Sequence, residues 1–280
     1  MGCYIGTHFY GCLGYADDLL LLSASRTGLQ EMVTISERFA KSKNLKFSTA
    51  EDPNKSKTKC IVFSRKAQDR RNISPVNLDG LPLPWVGQVK HLGNILQNDN
   101  SMKVDLSIKR GQFIGKVHSL LQEFYYVDPS VSVIILNIFT TSFYGSGLWD
   151  LQSAECDRLY KSWNVAIRHA LSLPVTAHRY LIECLSGCLH PKTMLSSRLV
   201  KFSASLMKSG KTSVQFLARL CHGDHRTVMG RNMGSIAADL HGDSVTAASV
   251  KSKLKYFPVE VEVSNLEDDD ISEIDILCTT

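Results

Sequence analysis

Several features that would assign the chain to a simple structural class are absent from its 280 residues. No collagen-like period, heptad run or short solenoid repeat occurs, which excludes fibrous, coiled-coil and repeat architectures. The eight cysteines form no CxxC pair and are too sparse for a secreted disulfide scaffold. A hydrophobic content of 44% and a charged content of 21% are typical of a globular protein.

Targeting signals are absent as well. The N-terminal sequence MGCYIGTHFY has no basic region followed by an apolar core, so it does not resemble a signal peptide. Thr7 falls one place outside the usual myristoylation spacing from Gly2. We therefore expect a nuclear or cytoplasmic protein with reduced thiols, and not a secreted one.

Charge is missing from one long run, Pro129 to Trp149, which is long enough to cross a bilayer. This run carries many serines and threonines, a large polar load for hydrocarbon. It follows Asp128, so that an N-cap precedes a proline at the first helical position. The pattern favours a buried helix, and we expect no membrane partner.

Basic residues are absent from Glu260 to the end of the chain, where eight acidic residues lie, Glu260 included. The whole chain carries a formal charge of +5, so the first 259 residues carry +13. A basic body with an acidic tail indicates a polyanionic partner such as nucleic acid. The alternative is a charged soluble surface without a partner.

Short apolar runs and turns predict strands and one helix in the first third of the chain. Strand-like runs lie between residues 3 and 24, at 45–48, at 59–64 and at 89–96, and Asp79-Gly80 predicts a hairpin turn. The capping-box pattern Thr27 to Gln30 predicts a helix that begins at Thr27 and ends near Asn44.

Helical spacing dominates the rest of the chain. It predicts helices over about 102–124, 129–144, 153–171, 176–186 and 191–208. The fold class is therefore α+β, with a strand-rich region over 1–100, a helical region over 101–210 and an irregular region with an acidic tail over 211–280.

The stretch GCLGYADDLLLLSAS places two carboxylates, Asp17 and Asp18, at a turn between apolar runs that read as buried strands. Adjacent carboxylates repel each other, and a hard cation such as Mg²⁺ relieves that repulsion. Paired magnesium ions can stabilise the attacking and leaving oxygens of a phosphoryl transfer. The alternative is a surface turn that binds nothing.

The residues YADDLLLL resemble the palm-domain signature of reverse transcriptases. The following helix and the segments KFSTAEDPNKSKTKCIVF, LPLPWVGQVKHLG and FYGSGLWDL occur in the order typical of LINE-type, non-LTR retrotransposons. The resemblance runs from about residue 3 to at least 200. It implies a partial palm over 1–100, a helical thumb over 101–210, and template-directed nucleotidyl transfer by a two-metal mechanism in the intact protein.

The resemblance implies roles for individual residues. Asp17 and Asp18 would hold Mg²⁺ (or Mn²⁺), and Lys57 would protonate the leaving pyrophosphate, although the sequence does not separate it from its neighbours. A solvated basic loop is the alternative. The implied partners are an RNA template, a DNA primer and deoxynucleoside triphosphates. The residues implied to contact nucleic acid are Tyr15, Ala16, Lys55, Lys59, Lys90, His91, Gly93, Lys109, Arg110 and Lys116.

Reverse transcriptases also use an aspartate on an earlier palm strand and fingers that bind template and nucleotide. Neither fits before Asp17, so we expect a fragment that does not polymerise alone. The alternatives are a non-catalytic nucleic-acid-binding protein and a functionless transposon relic.

Zinc is not expected. The His178, Cys184, Cys188 and His190 set has loose spacing, and its two cysteines fit the apolar side of a predicted helix.

Overall fold

The computed structural model describes residues 2–50, 52, 55–64, 66–69 and 72–241. These residues form two compact units, with the division between Ser101 and Met102. Unit 1 comprises the described residues up to Ser101, and unit 2 those from Met102 to His241. The architecture is α+β, as predicted, with strands and one helix in unit 1 and helices in unit 2.

Unit 1 contains helix α1, Arg26–Ser42, and short strands that pair two by two. The pairs β1–β2, β3–β4, β6–β7 and β9–β10 are antiparallel, whereas β5 and β8 pair in parallel. The strands are β1 Tyr4–Ile5, β2 His8–Phe9, β3 Cys12–Tyr15, β4 Asp18–Leu21, β5 Cys60–Ile61, β6 Asn77–Leu78, β7 Leu81–Pro82, β8 Trp85–Val86, β9 Gln88–His91 and β10 Asn94–Gln97.

The core of unit 1 forms where α1 packs on strands from distant parts of the sequence. Five residues are buried there, and Leu21, Leu29, Phe47 and Trp85 pack against them. The Trp85 indole, which is partly buried, also donates to the Ser74 carbonyl at 3.2 Å. The buried residues are Val33, Cys60, Val76, Leu78 and Leu83.

The predicted Asp79-Gly80 turn and a second turn, at Leu92-Gly93, have similar backbone conformations. Asp79 and Gly80 have φ of 52° and 77°, so β6 and β7 are joined by a turn with positive φ at both central residues. Leu92 and Gly93 have φ of 45° and 79° between β9 and β10. Glycine suits the second position of such a type I′ turn because it has no Cβ to clash.

Unit 2 is formed by seven α-helices and a short 3₁₀ helix within the described residues. Asp128 caps α3 as predicted, since its side chain accepts from the Ser130 amide at 2.8 Å and Pro129 is the first helical residue. The elements are α2 Lys103–Glu123, α3 Pro129–Thr140, the 3₁₀ helix Ser146–Leu148, α4 Ala154–Ala170, α5 Arg179–Ser186, α6 Pro191–Met207, α7 Thr212–Gly223 and α8 Val228–His241.

Helix α4 is central to the core of unit 2, because it packs against α2, α3, α5 and α6. Trp163 and Leu159 on α4 are buried, together with Leu106 and Phe113 on α2. The loop after the 3₁₀ helix enters the same core, where Trp149 is completely buried. The helical stripe read from the α2 sequence is therefore the buried face of this helix.

The structure corrects several sequence-based expectations. Residues 45–48 form no strand, and the two helices Thr212–Gly223 and Val228–His241 lie where an irregular region was expected. Cys184 is exposed, and Cys188 follows the end of α5. Helix α3 was expected to be buried, yet only one of its faces is. The rest of the expected acidic tail, from residue 242 onward, lies outside the described residues.

Candidate functional site

The two predicted catalytic aspartates lie at the tip of the β3–β4 hairpin. Tyr15 pairs with Asp18, so Ala16 and Asp17 form a two-residue loop. Ala16 has φ of 52°, the sign found at the first loop position of a type II′ turn, where glycine is usual. The Leu22 amide donates to the Gly11 carbonyl at 2.7 Å and extends the ladder beyond the paired strands.

The side chains of Asp17 and Asp18 are both exposed. Neither makes a hydrogen bond or ion pair with another side chain in the described part of the chain. Two neighbouring carboxylates that face water without a cationic partner are available to a cation from solution. No group of three or more His, Cys, Asp or Glu residues suited to hold a metal occurs among the described residues.

The hairpin tip is also exposed beyond its carboxylates. Tyr15 is 67% exposed. Leu13 and Leu19 are exposed as well, and the sequence-based interpretation of these runs as buried strands fails here. Only Leu21, near the base of the hairpin, packs against the unit 1 core. The tip therefore projects two carboxylates and one phenol ring into solvent.

The lysine loop presents Lys55, Lys57 and Lys59 to solvent, because the residues between them turn inward. Ser56 is buried, and the Thr58 amide and hydroxyl both donate to the Ser48 carbonyl, at 3.2 and 2.9 Å. Among the described residues, no hydrogen bond or ion pair joins Lys57 to Asp17 or Asp18. The loop is built to expose three cations, and its geometry does not single out one of them.

Lys90, His91 and Gly93 belong to the β9–β10 hairpin. Lys90 is exposed on β9 and His91 is half-buried at the strand end. Gly93 is exposed and adopts φ of 79° in the turn, which explains its presence by backbone geometry alone. Of these three, Lys90 offers a charged group to solvent.

On helix α2, the three predicted cations have different surroundings. The Arg110 guanidinium already has a partner within unit 2, since its Nε donates to the Ser162 hydroxyl of α4 at 2.8 Å. The Lys109 ammonium lies 5.4 Å from the centroid of the Tyr144 ring. Lys116 is exposed and makes no ion pair with any described residue. Lys109 and Lys116 share one face of the helix, because they are seven residues apart.

Lys109 and Lys116 border a groove between α2 and the end of α3, which we call the α2–α3 groove. It consists of two adjoining depressions that share Gln112 and Lys116. The larger one has a volume of about 810 Å³. Both are lined by Lys109, Gln112, Phe113, Gly115, Lys116, Ser119, Leu120, Phe139, Thr140, Ser142, Phe143 and Tyr144.

Phe139 and Tyr144 are not among the site residues predicted from the sequence. The signal that could have found them is the uncharged run from Pro129 to Trp149, which carries more large apolar residues than one buried helix face needs. Val131, Ile134, Ile138 and Phe139 all lie exposed on α3. An exposed apolar face of this kind marks an interaction surface.

A second groove lies on the other side of α2, between α2 and α4, with a volume of about 320 Å³. Its floor is apolar and includes Phe113 and Val117, and none of the described residues that line it is acidic. Its rim carries cationic and titratable groups from both helices, namely Arg110, His118, Arg158, Lys161 and His169. Glu155 pairs with Arg158 at 3.4 Å and offsets part of this charge.

No protein-family model, curated protein or solved structure matches the chain. No helix in the described residues is both long and apolar enough to span a membrane. The assignment of function therefore depends on the side chains at these sites.

Proposed function

We propose that the chain is part of an RNA-directed DNA polymerase of the reverse-transcriptase type, in which the β3–β4 hairpin supplies two catalytic carboxylates. The observation that carries the proposal is the placement of Asp17 and Asp18 at the tip of a hairpin with a two-residue loop, where both are exposed and neither has a cationic partner among the described residues. The sequence around the turn, YADD, resembles the signature of that class.

The donor chemistry of the hairpin fits Mg²⁺ (or Mn²⁺). Magnesium is usually bound through one or two carboxylates together with substrate phosphates, and it keeps several waters. Asp17 and Asp18 would provide the carboxylate oxygens. When bound, the ion would supply charge stabilisation to a transferring phosphoryl group. The short paired strands place the two residues next to each other at one turn.

Cations on both units would supply the remaining interactions. Lys57, or one of its exposed neighbours Lys55 and Lys59, would donate a proton to the leaving pyrophosphate, a contribution of roughly 10²–10⁴-fold in rate. Lys90 on unit 1 and Lys109 and Lys116 on unit 2 would contact phosphates of the RNA template and DNA primer.

The described residues are expected to be insufficient for polymerisation. They provide two neighbouring carboxylates and no third metal ligand beside them. Phosphoryl transfer depends almost entirely on positioning and electrostatic stabilisation. We therefore propose that synthesis from deoxynucleoside triphosphates requires a further carboxylate and a nucleotide-binding element from another polypeptide segment.

The metal part of the proposal can be tested without polymerase activity. Titration of the ¹⁵N-labelled full chain with Mn²⁺ should broaden the amide resonances of residues 15–19 first, because the ion is paramagnetic. The double change Asp17→Asn and Asp18→Asn should abolish this broadening. The matched control is Asp157→Asn, an exposed carboxylate on α4, which should leave it intact. Broadening that survives the double change contradicts the proposal.

Primer extension tests the dependence on other segments. The purified chain should extend no primer on an RNA template with Mg²⁺ or Mn²⁺. Template-dependent extension that Asp17→Ala abolishes would disprove the expected inactivity and strengthen the polymerase assignment.

A second candidate function is nucleic-acid binding without catalysis. It is favoured by the cation-rich grooves of unit 2, which have no acidic lining residue. Filter binding of an RNA–DNA heteroduplex should show an affinity that falls steeply with salt. Binding without metal-dependent broadening at residues 15–19 would select this candidate. If the chain does not bind the heteroduplex at low salt, the remaining alternative is a functionless transposon relic.

A further inference from the structure

We infer that the α2–α3 groove of unit 2 binds an unpaired stretch of nucleic acid, with bases stacked on Tyr144 and Phe139 and phosphates held by Lys109 and Lys116. This inference deepens the proposed function and rests on its nucleic-acid-binding part. It specifies that the bound strand is unpaired, and it gives a binding role to two aromatic residues for which the family resemblance implies none.

The first observation is the exposure of the two rings. Tyr144 is 61% exposed and Phe139 is 60% exposed, although both belong to a part of the chain with many buried neighbours. Exposed aromatic rings beside a groove are the stacking platforms of proteins that bind single strands, since every base has a face that can stack.

The backbone on both sides of Tyr144 has an unusual conformation. Phe143 has φ of 39° and Gly145 has φ of 81°. Phe143 is buried against Phe113 and Trp149, with ring centroids 5.8 and 6.0 Å apart. A positive φ is costly for a bulky residue and persists where the surroundings enforce it, often at functional sites. The fold therefore fixes one ring in the core and the next in solvent.

The charges beside the rings suit a phosphate backbone. Lys109 and Lys116 lie on the α2 edge of the groove, and none of the lining residues is acidic. Seven residues of helix separate the two lysines by about 10 Å along the axis. This distance matches about three nucleotides of stacked strand at about 3.4 Å each.

The arrangement favours an unpaired strand over a duplex. In a duplex the base faces are covered by their neighbours, so the rings of Tyr144 and Phe139 would reach only sugars and phosphates. In an unpaired strand the same rings can receive a base face while both lysines contact the backbone. Gln112 and Ser119 line the groove beside them and offer uncharged hydrogen-bonding groups.

The test compares a fluorescein-labelled 12-nucleotide oligouridine with an RNA–DNA heteroduplex of the same length, by fluorescence anisotropy on the full chain. Tyr144→Ala and Phe139→Ala should each weaken oligouridine binding by roughly ten-fold. Heteroduplex binding should change by less than about two-fold, because no duplex base stacks on these rings. Lys116→Gln should reduce the slope of log affinity against log salt by about 0.7 for the oligouridine.

Two controls make the result specific. Tyr144→Phe keeps the stacking face and should bind like the unaltered protein. Tyr180→Ala removes an exposed ring on α5, outside the groove, and should change neither affinity. Thermal unfolding of each variant identifies any loss of folding.

The outcomes separate the inference from the proposed function. Equal losses for oligouridine and heteroduplex, or no loss on Tyr144→Ala, would overturn the single-strand assignment while nucleic-acid binding stands. Absence of binding to both probes at low salt would overturn both.

Discussion

His190 is a buried imidazole whose surroundings disfavour its charged form. It is 7% exposed and its ring lies against Tyr160 and Trp163, with centroids 5.4 and 5.7 Å away. Burial, assisted by the positive charges of Arg179 and Lys192, lowers the pKa of His190 from 6.5 to about 4. Its Nδ1 accepts from the Lys192 amide at 3.2 Å and caps α6, a role that needs an unprotonated nitrogen.

This shift predicts a loss of stability in mild acid. Between pH 6.5 and about 4 the unfolded imidazole binds a proton that the folded one does not. The free energy of unfolding should therefore fall as the pH is lowered through this range, by at most about 3 kcal/mol from this residue. Urea unfolding at pH 7 and pH 4.5 measures the loss.

The variant His190→Asn keeps a capping acceptor and does not titrate, so it should show a smaller difference between the two pH values. The control His178→Asn changes an exposed histidine that makes no side-chain cap and should retain the full difference. Equal pH dependence in all three proteins would contradict the assignment.

At the scale of single elements, the start of α1 differs from the start that the sequence pattern predicts. The pattern Thr27 to Gln30 predicted a capping box, but the helix begins at Arg26 and Ser25 is the N-cap. The Ser25 hydroxyl accepts from the Gly28 amide at 3.0 Å. Gln30 instead exchanges two hydrogen bonds with the backbone of Asn77, at 2.8 and 2.9 Å, and joins α1 to β6.

Two substitutions distinguish these alternatives. Ser25→Ala should lower the free energy of unfolding by about 1 kcal/mol, because the Gly28 amide loses its acceptor. Thr27→Ala should change it by less than about 0.5 kcal/mol, since this side chain is exposed and makes no cap. Chemical denaturation measures both changes. A larger loss of stability for Thr27→Ala than for Ser25→Ala would support the capping box instead.

The tip of the β3–β4 hairpin provides a second prediction at this scale. Ala16 has a positive φ that glycine adopts without a Cβ penalty. Ala16→Gly should therefore slow hydrogen exchange of the hairpin amides, by about five-fold if the strain is near 1 kcal/mol. The control Ala154→Gly, at the first position of α4, should leave hairpin exchange unchanged. Faster exchange of the hairpin amides in Ala16→Gly would contradict the claim that the backbone at Ala16 is strained.

At the scale of the whole molecule, one polar residue connects distant parts of unit 2. Asn232 on α8 accepts from the Leu151 amide at 3.0 Å and donates to the Trp149 carbonyl at 2.7 Å. The Trp149 indole donates to buried Asp105 on α2 at 3.2 Å. The loop after the 3₁₀ helix is thus held by the first and last helices of the unit.

Loss of these bonds should be costly. Asn232→Ala leaves two buried backbone groups without partners and should reduce the free energy of unfolding by roughly 3 kcal/mol. Asn137→Ala, an exposed amide on α3, should change it by less than about 0.5 kcal/mol. Denaturant unfolding with near-ultraviolet circular dichroism, which reports on Trp149, measures both. A small effect at Asn232 would show that water replaces its hydrogen bonds.

The sequence by itself determined the local elements of this protein. Helical spacing gave the five helices from α2 to α6 to within a few residues, because a buried stripe leaves a 3.6-residue period in the apolar positions. Asp79-Gly80 and Asp128-Pro129 specified their turn and cap through backbone preferences that act within a few residues.

Only the tertiary structure decided which apolar residues are buried and which side chains meet. The exposed faces of α3 and of the β3–β4 hairpin have sequences as apolar as those of buried faces. Burial depends on what packs against an element, and the local sequence does not show this. Lys109 and Tyr144 meet at the α2–α3 groove because α2 packs against α3 and because Phe143, directly before Tyr144, has a positive φ. Contacts between residues far apart in sequence leave no period in the sequence itself, and for this reason only the fold shows that Tyr144 and Phe139 lie beside the lysines of α2.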